Sequence, residues 1–303
     1  MSLAARGLNL WLRWTEKRAL AGSTDPVRLR RALDRKTRLF FHAPRGTVFE
    51  ERPVGGRPAT HLRARGMKQE DGPLILYLHG GGYVFGSPRT HRAMLAKLSQ
   101  LTGLPACLPD YRKGPEHAFP AAVTDALAAY RAVSGHPGGV VLGGDSAGGG
   151  LALALLLEIL RLELPRPRGV ILFSPLTDLT FSGPSFTVNA AVDVMVPAER
   201  AEDLTELYLQ GQDRAAPLAS PLFGDFTGAP PVWAVAGDTE ILRDDTTRLA
   251  ERLRAQRVEV TCKIEHDLPH VWPLFHNLLP EARTTLQAVA AWITALSPRP
   301  ADN

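Results

Sequence analysis

The stretch Val-Val-Leu-Gly-Gly-Asp-Ser-Ala-Gly-Gly, residues 140–149, decides how this chain is read. Its first three residues are apolar and mostly β-branched, as in a parallel strand buried on both faces. From Gly150 onward the sequence Gly-Leu-Ala-Leu-Ala-Leu-Leu-Leu-Glu-Ile-Leu is too long for a strand and rich in helix formers. Between them, Gly144-Asp-Ser-Ala-Gly148 places a G-x-S-x-G pattern at a strand-to-helix turn, the context that defines a nucleophile elbow. A turn this sharp strains its central residue, and a side chain at Gly144 or Gly148 is expected to collide with neighbouring backbone. The strain lifts the Ser146 hydroxyl off the sheet, and the following helix aims backbone N–H groups at the same point. The alternative for the pentapeptide alone is a glycine-rich βα turn that cradles phosphate. It lacks the Lys-Ser/Thr pair of a P-loop.

Working outward, Leu74-Ile-Leu-Tyr-Leu78 reads as a central strand and ends in His79-Gly-Gly-Gly-Tyr83. Three glycines leave backbone amides unshielded, which suits an oxyanion hole. Combined with the elbow, Gly81, Gly82 and Ala147 are the expected donors, and His79 is expected to hold the loop rather than act as a base. Further strands are expected at 104–108, 169–174, 231–236 and 258–264. They alternate with helices at 90–101, to about 134, at 198–209, to about 256 and to about 296. Residues 47–53 and 60–65 read as two strands joined at Gly55-Gly56. The fold class is therefore α/β, a mostly parallel central sheet flanked by helices. Carboxylates (Asp238, Glu240, Asp244, Asp245) follow the strand ending at Ala236, and His266 and His270 follow the next strand. Ligands bind at that edge of open α/β sheets, and the order Ser, Asp/Glu, His is that of α/β-hydrolases. Asp244 and Asp245 sit where the next helix begins, so N-cap duty is expected of at least one of them. Asp238 is read as a turn carboxylate bonding its own backbone.

Residues 2–41 read as helix, with Leu8, Trp11 and Trp14 at three-residue spacing. The break at Ser23-Thr-Asp-Pro26 signals a helix start, and Val27, Leu29, Leu33 and Phe40 continue the apolar stripe. Such a stripe needs a partner, so residues 1–45 are expected to form the N-terminal part of a helical cap over a catalytic domain at 46–303. A second cap segment is expected at about 178–212, made of a long insertion in the irregular run over 175–197 and the helix at 198–209 that follows it. Trp11, Trp14 and residues 181–195 are expected to shape an apolar acyl pocket.

Composition narrows the function. Charged residues make up 22% and hydrophobic ones 45%, as in ordinary globular proteins. Two cysteines, Cys107 and Cys262, exclude a disulfide framework and argue against a Cys-based metal site. No apolar run reaches the ~20 residues of a membrane span. Arg6, Arg13, Glu16, Lys17 and Arg18 interrupt any signal-peptide core, so a cytoplasmic protein without stable membrane insertion is expected. The net charge of +4 is uneven: residues 1–68 hold 16 Lys and Arg against 5 Asp and Glu. With no zinc spacing or nucleic-acid motif, this surplus reads as a solvated helical face rather than a nucleic-acid surface.

These motifs together resemble the hormone-sensitive lipase family of α/β-hydrolases, in its bacterial GDSAGG branch. The resemblance rests on His79-Gly-Gly-Gly82, Asp110-Tyr-Arg112 with Pro115-Glu-His117 and Phe119-Pro-Ala-Ala122, and residues 144–149. Ser220-Pro-Leu222, Glu240-Ile-Leu-Arg-Asp244 and Asp267-Leu-Pro-His270 extend it to the C-terminal part. It implies a serine carboxylesterase acting on short to medium acyl esters, without cofactor or metal, often as a homodimer. Here the dimer is expected through the last strand, if that strand forms an open edge. The implied catalytic residues are Ser146, Glu240 and His270, with Glu240 standing where most relatives carry Asp. Amide or lactone hydrolysis on the same fold stays open. A non-catalytic binding protein, like the plant hormone receptors that resemble this family, is disfavoured because those lose the histidine that this chain keeps as His270.

Overall fold

A computed structural model describes residues 1–23, 25–66 and 72–296. Thr24, within the expected helix break, and residues 67–71 and 297–303 of the expected catalytic domain lie outside them. The elements in chain order are α1 (Leu3–Trp14), α2 (Glu16–Gly22), α3 (Pro26–Phe40), β1 (Val48–Glu51), β2 (Ala59–Arg63), β3 (Leu74–Leu78), α4 (Pro88–Thr102), β4 (Ala106–Pro109), α5 (Ala121–Val133) and β5 (Val140–Asp145). They continue with α6 (Ser146–Arg161), β6 (Gly169–Phe173), α7 (Ser185–Val188), α8 (Ala198–Leu209), β7 (Val232–Gly237), α9 (Arg243–Ala255), β8 (Val260–Glu265) and α10 (Pro280–Ala295).

The strands form one sheet in the order β1-β2-β4-β3-β5-β6-β7-β8. β1 and β2 pair antiparallel with their neighbours, and every pairing from β4 to β8 is parallel. This is the expected α/β class. Residues of β3 alternate between the two faces: Leu74, Leu76 and Leu78 join the layer with α5, α6 and α9, and Ile75 and Tyr77 join the layer with α1, α4 and α10. Burial on both faces explains why the central strands read as continuous apolar runs. β8 closes the sheet at one edge, bonded among the described residues to β7 alone.

The N-terminal segment differs from the single broken helix expected. It breaks a second time at Thr15, whose Oγ1 donates to Trp11 O at 2.7 Å and competes with the helical ladder. At the later break Asp25 caps α3 by accepting from Val27 N and Arg28 N. The 175–197 run is not wholly irregular, since it contains the single turn α7. The N-terminal helices are tied to this run: Lys17 Nζ donates to Ala190 O and Asp193 O at 2.8 and 2.7 Å, and Arg13 reaches Val192 O at 3.1 Å.

Candidate active site

The strand-to-helix turn is tighter than the sequence suggests. β5 runs through Asp145 and α6 starts at Ser146, so one residue makes the reversal, and Ser146 sits at φ +50. Only small neighbours permit this. A Cβ on Gly144 would lie 2.2 Å from Gly148 O, and one on Gly148 would lie 2.1 Å from Leu78 O. Both are contacts with backbone that cannot move aside.

The glycine loop after β3 packs against this turn. Gly80 N donates to Asp145 Oδ1 at 3.1 Å, and His91 Nε2 lies 3.0 Å from the same oxygen. His79 is fully buried, stacks on Tyr111 with ring centroids 4.4 Å apart, and approaches Gly80 O through Nδ1 at 2.9 Å. Burial, with Lys113 and His91 nearby, holds its pKa well below the ordinary value, so it is neutral. Gly81, at φ +128, accepts at its carbonyl from Val84 N and Phe85 N. Gly81 and Gly82 border the same cavity as Ser146, and Ala147 lies buried in the first turn of α6, where backbone N–H groups lack intrahelical acceptors.

Among the carboxylates after β7, Glu240 is the one bonded to His270, with Oε2 2.6 Å from Nδ1. Its other oxygen accepts from Gly237 N at 2.6 Å and Ser174 Oγ at 2.8 Å. Both side chains are nearly inaccessible. Burial alone would lower the His270 pKa, but the charge and hydrogen bond of Glu240, aided by Asp193 and Asp145, raise it above 6.5.

Asp238 is turned elsewhere. It does not bond its own turn but crosses to the next loop, with Oδ2 2.7 Å from His266 Nδ1 and Oδ1 accepting from Asp267 N at 2.7 Å. Neither Asp244 nor Asp245 is the N-cap expected of at least one of them, since Leu242 occupies that position and no side chain caps the helix. Instead Asp244 accepts from Ser185 N at 2.7 Å, and Asp245 accepts from Thr177 N and Asp178 N at 2.6 and 2.9 Å. Lying inside the first turn of α9, they point their carboxylates at orphan amides of the 174–185 loop, a stronger demand than a solvent-facing cap.

Several residues that position the acid loop went unnoticed in the sequence. Asn189 Nδ2 donates to Asp238 O and Glu240 O at 2.9 and 2.7 Å, and buried Asp193 accepts from Ile241 N at 2.9 Å. Ser174, at the ligand-binding end of β6 with φ +47, holds Glu240 and accepts from Val271 N at 3.2 Å. Its place at a strand's C-terminal edge was the available signal. Asn189 and Asp193, in an irregular run far from position 240, carried none.

Ser146 and His270 open into one mostly apolar chamber of about 690 Å³. Helices α1 and α3 contribute Trp11 and Leu33, and the later segment contributes Phe181 and Met195. Trp14 does not reach the chamber. It is 56% exposed, with the Arg18 guanidinium 4.0 Å over its ring. Among the described residues no group of three His, Cys, Asp or Glu is placed to hold a metal ion. Among them also, no helix is long and apolar enough to cross a membrane.

A mostly parallel sheet with a strained serine after its fifth strand, and a His–carboxylate pair after its last two, defines an α/β-hydrolase. The family model for the alpha/beta hydrolase fold matches residues 75–274. The chain is 37% identical over 277 residues to an acetyl-hydrolase of Streptomyces hygroscopicus, covering 90% of each. It is 33% identical over 277 residues to an esterase of Acinetobacter venetianus, covering 89% of each. The crystal structure of an esterase from the bacterial hormone-sensitive lipase family superposes with a TM-score of 0.91 at 35% identity, over 98% of this chain and 99% of that one. A hormone-sensitive lipase from a metagenome library superposes with a TM-score of 0.90 at 33% identity, over 97% and 99%. The chain belongs to the hormone-sensitive lipase family of α/β-hydrolases.

Proposed function

We propose that this chain is a carboxylic ester hydrolase that works by acyl transfer through Ser146. The observation that carries the reading is the shared chamber: Ser146 and His270 border it together, and His270 Nδ1 is held by Glu240 on the side away from it. With Nδ1–H donated to the carboxylate, the free Nε2 of His270 is the base. Ser146 Oγ attacks the ester carbonyl as His270 takes its proton, giving a tetrahedral oxyanion and an imidazolium that Glu240 stabilises. The N–H groups of Gly81, Gly82 and Ala147 receive the oxyanion, where one donor is typically worth about 3 kcal/mol of barrier. Collapse expels the alcohol, protonated by His270, and leaves acyl-Ser146. A water deprotonated by His270 then attacks the acyl carbonyl, and release of the carboxylic acid restores the serine.

The chamber's apolar walls support esters of short to medium acyl chains, and no cofactor enters these steps. Residues 1–45 and about 178–212 act as a cap that shapes the chamber, a reading supported by Trp11, Leu33, Phe181 and Met195 in its wall. Two copies pair through the β8 edge. A serine-directed phosphonate should add once, at Ser146, and abolish ester hydrolysis. Labelling of a different serine, or full activity in Ser146→Ala, would overturn the mechanism.

A further inference from the structure

The turn over residues 189–193, directly after α7, is held from two sides. It is closed on itself by Asn189 O, which accepts from Val192 N at 3.0 Å and Asp193 N at 2.8 Å. On one side its buried side chains hold the acid loop. Asn189 Nδ2 donates to Asp238 O and Glu240 O, and Asp193 Oδ2 accepts from Ile241 N. On the other side its carbonyls face the N-terminal helices. Lys17 Nζ, on α2, donates to Ala190 O and Asp193 O, and Arg13, near the end of α1, donates to Val192 O. Carbonyls and side chains of one short closed turn move together, so whatever seats the first face also places the second.

Of the two cations, Lys17 has the stronger hold. It makes two charge-assisted bonds, at 2.8 and 2.7 Å, from a partly buried position. Arg13 makes one bond of 3.1 Å at an exposed position, where water competes with it. Lys17 also stands outside the chamber wall, although its neighbours Glu16, Ala19 and Leu20 border the chamber. From Lys17 a continuous series of bonds leads through the turn to the backbone of Glu240, and from Glu240 Oε2 to His270 Nδ1 at 2.6 Å. A contact that short is sensitive to any drift of the loop that carries it.

We infer that Lys17 is a positioning residue for the catalytic acid: by seating the 189–193 turn it keeps the Glu240 loop in register with His270. The inference rests on the proposed mechanism, in which Glu240 orients His270. It gives the N-terminal helices a role in the rate of the chemistry, separate from their part in shaping the chamber.

The test uses the full chain, assayed on one p-nitrophenyl ester well below the unfolding temperature of each variant. Lys17→Met keeps most of the aliphatic stem and removes the ammonium. It should lower kcat about tenfold, the scale of a small misplacement of a catalytic group, with KM and the relative preference among acyl chains unchanged. Lys17→Arg, which keeps a charged donor, should recover most of that loss. Asn189→Ala cuts the link on the far side of the turn and should lower kcat likewise. Adding Lys17→Met to it should then cost little more, because both act through one turn.

The pH profile separates positioning from the plain loss of a cation. The charged groups that bear on His270 are the carboxylates of Glu240, Asp193 and Asp145, all of which raise its pKa against burial. A displaced turn carries Glu240 and Asp193 away, so the acid limb of kcat/KM in Lys17→Met should move to lower pH. Loss of a positive charge with no displacement favours imidazolium and moves the limb, if at all, to higher pH. Unchanged kcat in Lys17→Met, while Ser146→Ala and Glu240→Gln lose activity, overturns the role of Lys17 and leaves the mechanism standing. Losses from Lys17→Met and Asn189→Ala that multiply in full, or a limb that moves up, also overturn it. Full activity in Glu240→Gln overturns the mechanism and this inference together.

Discussion

His270 Nδ1 lies 2.6 Å from Glu240 Oε2, while Asp238, two residues earlier in the same loop, is bonded to His266 at 2.7 Å. The two carboxylates are close in sequence and face different histidines, so their substitution separates two roles. Glu240→Gln keeps the shape of the loop but removes the charge that stabilises imidazolium, and its amide can hold the wrong tautomer. We expect kcat to fall by roughly 10³–10⁴-fold with KM little changed. Asp238→Asn should lower kcat far less. Steady-state kinetics on one p-nitrophenyl ester would check both, and the reverse ranking would assign the acid to Asp238.

The same pair sets a pH signature. His270 acts as a base only when deprotonated, so kcat/KM should fall as pH drops through its pKa. In the parent protein that pKa is raised above 6.5, because Glu240, Asp193 and Asp145 outweigh burial. Removing the Glu240 charge leaves burial with less opposition, and burial favours the neutral ring. The acid limb of the residual activity in Glu240→Gln should therefore move to lower pH. A limb that stays in place or moves up would mean that Glu240 does not control His270.

How much of this was legible depends on how local each cause is. The turn around Ser146 could be read from ten residues because the tightest contact a side chain at Gly144 would make is with the backbone of Gly148, four positions away. The parallel sheet was legible because strands buried on both faces carry no polar alternation. The carboxylate cluster was not. Glu240 and Asp238 share one loop, and what separates them is the orientation imposed by Ser174, Asn189 and Asp193 from distant segments. Asp244 and Asp245 looked like caps because helix-start composition is a local rule, whereas their partners lie about sixty to seventy residues away. Trp14 failed for a related reason: three-residue spacing places it near Trp11, but Trp11 borders the chamber whereas Trp14, the last residue of α1, stands outside its wall.

That difference between the tryptophans is itself testable. Trp11 borders the chamber and lies 5.7 Å, centroid to centroid, from Phe40. Trp11→Ala should enlarge the apolar wall and shift preference toward longer acyl chains, by at most ~1–3 kcal/mol per methylene accommodated. Trp14→Ala should leave the preference unchanged. Relative kcat/KM over a series of p-nitrophenyl esters reads both, and an equal shift in the two variants would remove Trp11 from the acyl wall.

The edge of the sheet leads to a prediction about assembly. β8 ends the strand order, with β7 as its neighbour among the described residues, and Ile264 on that strand is 38% exposed. An open strand carrying an exposed apolar side chain is a site for pairing with another chain. Two β8 strands meeting across a two-fold axis would satisfy both edges and bury both Ile264 side chains in one closed contact. Light scattering at micromolar concentration should therefore give twice the chain mass. Ile264→Lys, which places like charges opposite each other at such a contact, should shift the protein toward monomer while leaving its unfolding by denaturant cooperative. A parent protein that runs as a monomer, or a dimer indifferent to Ile264→Lys, would move the interface away from β8.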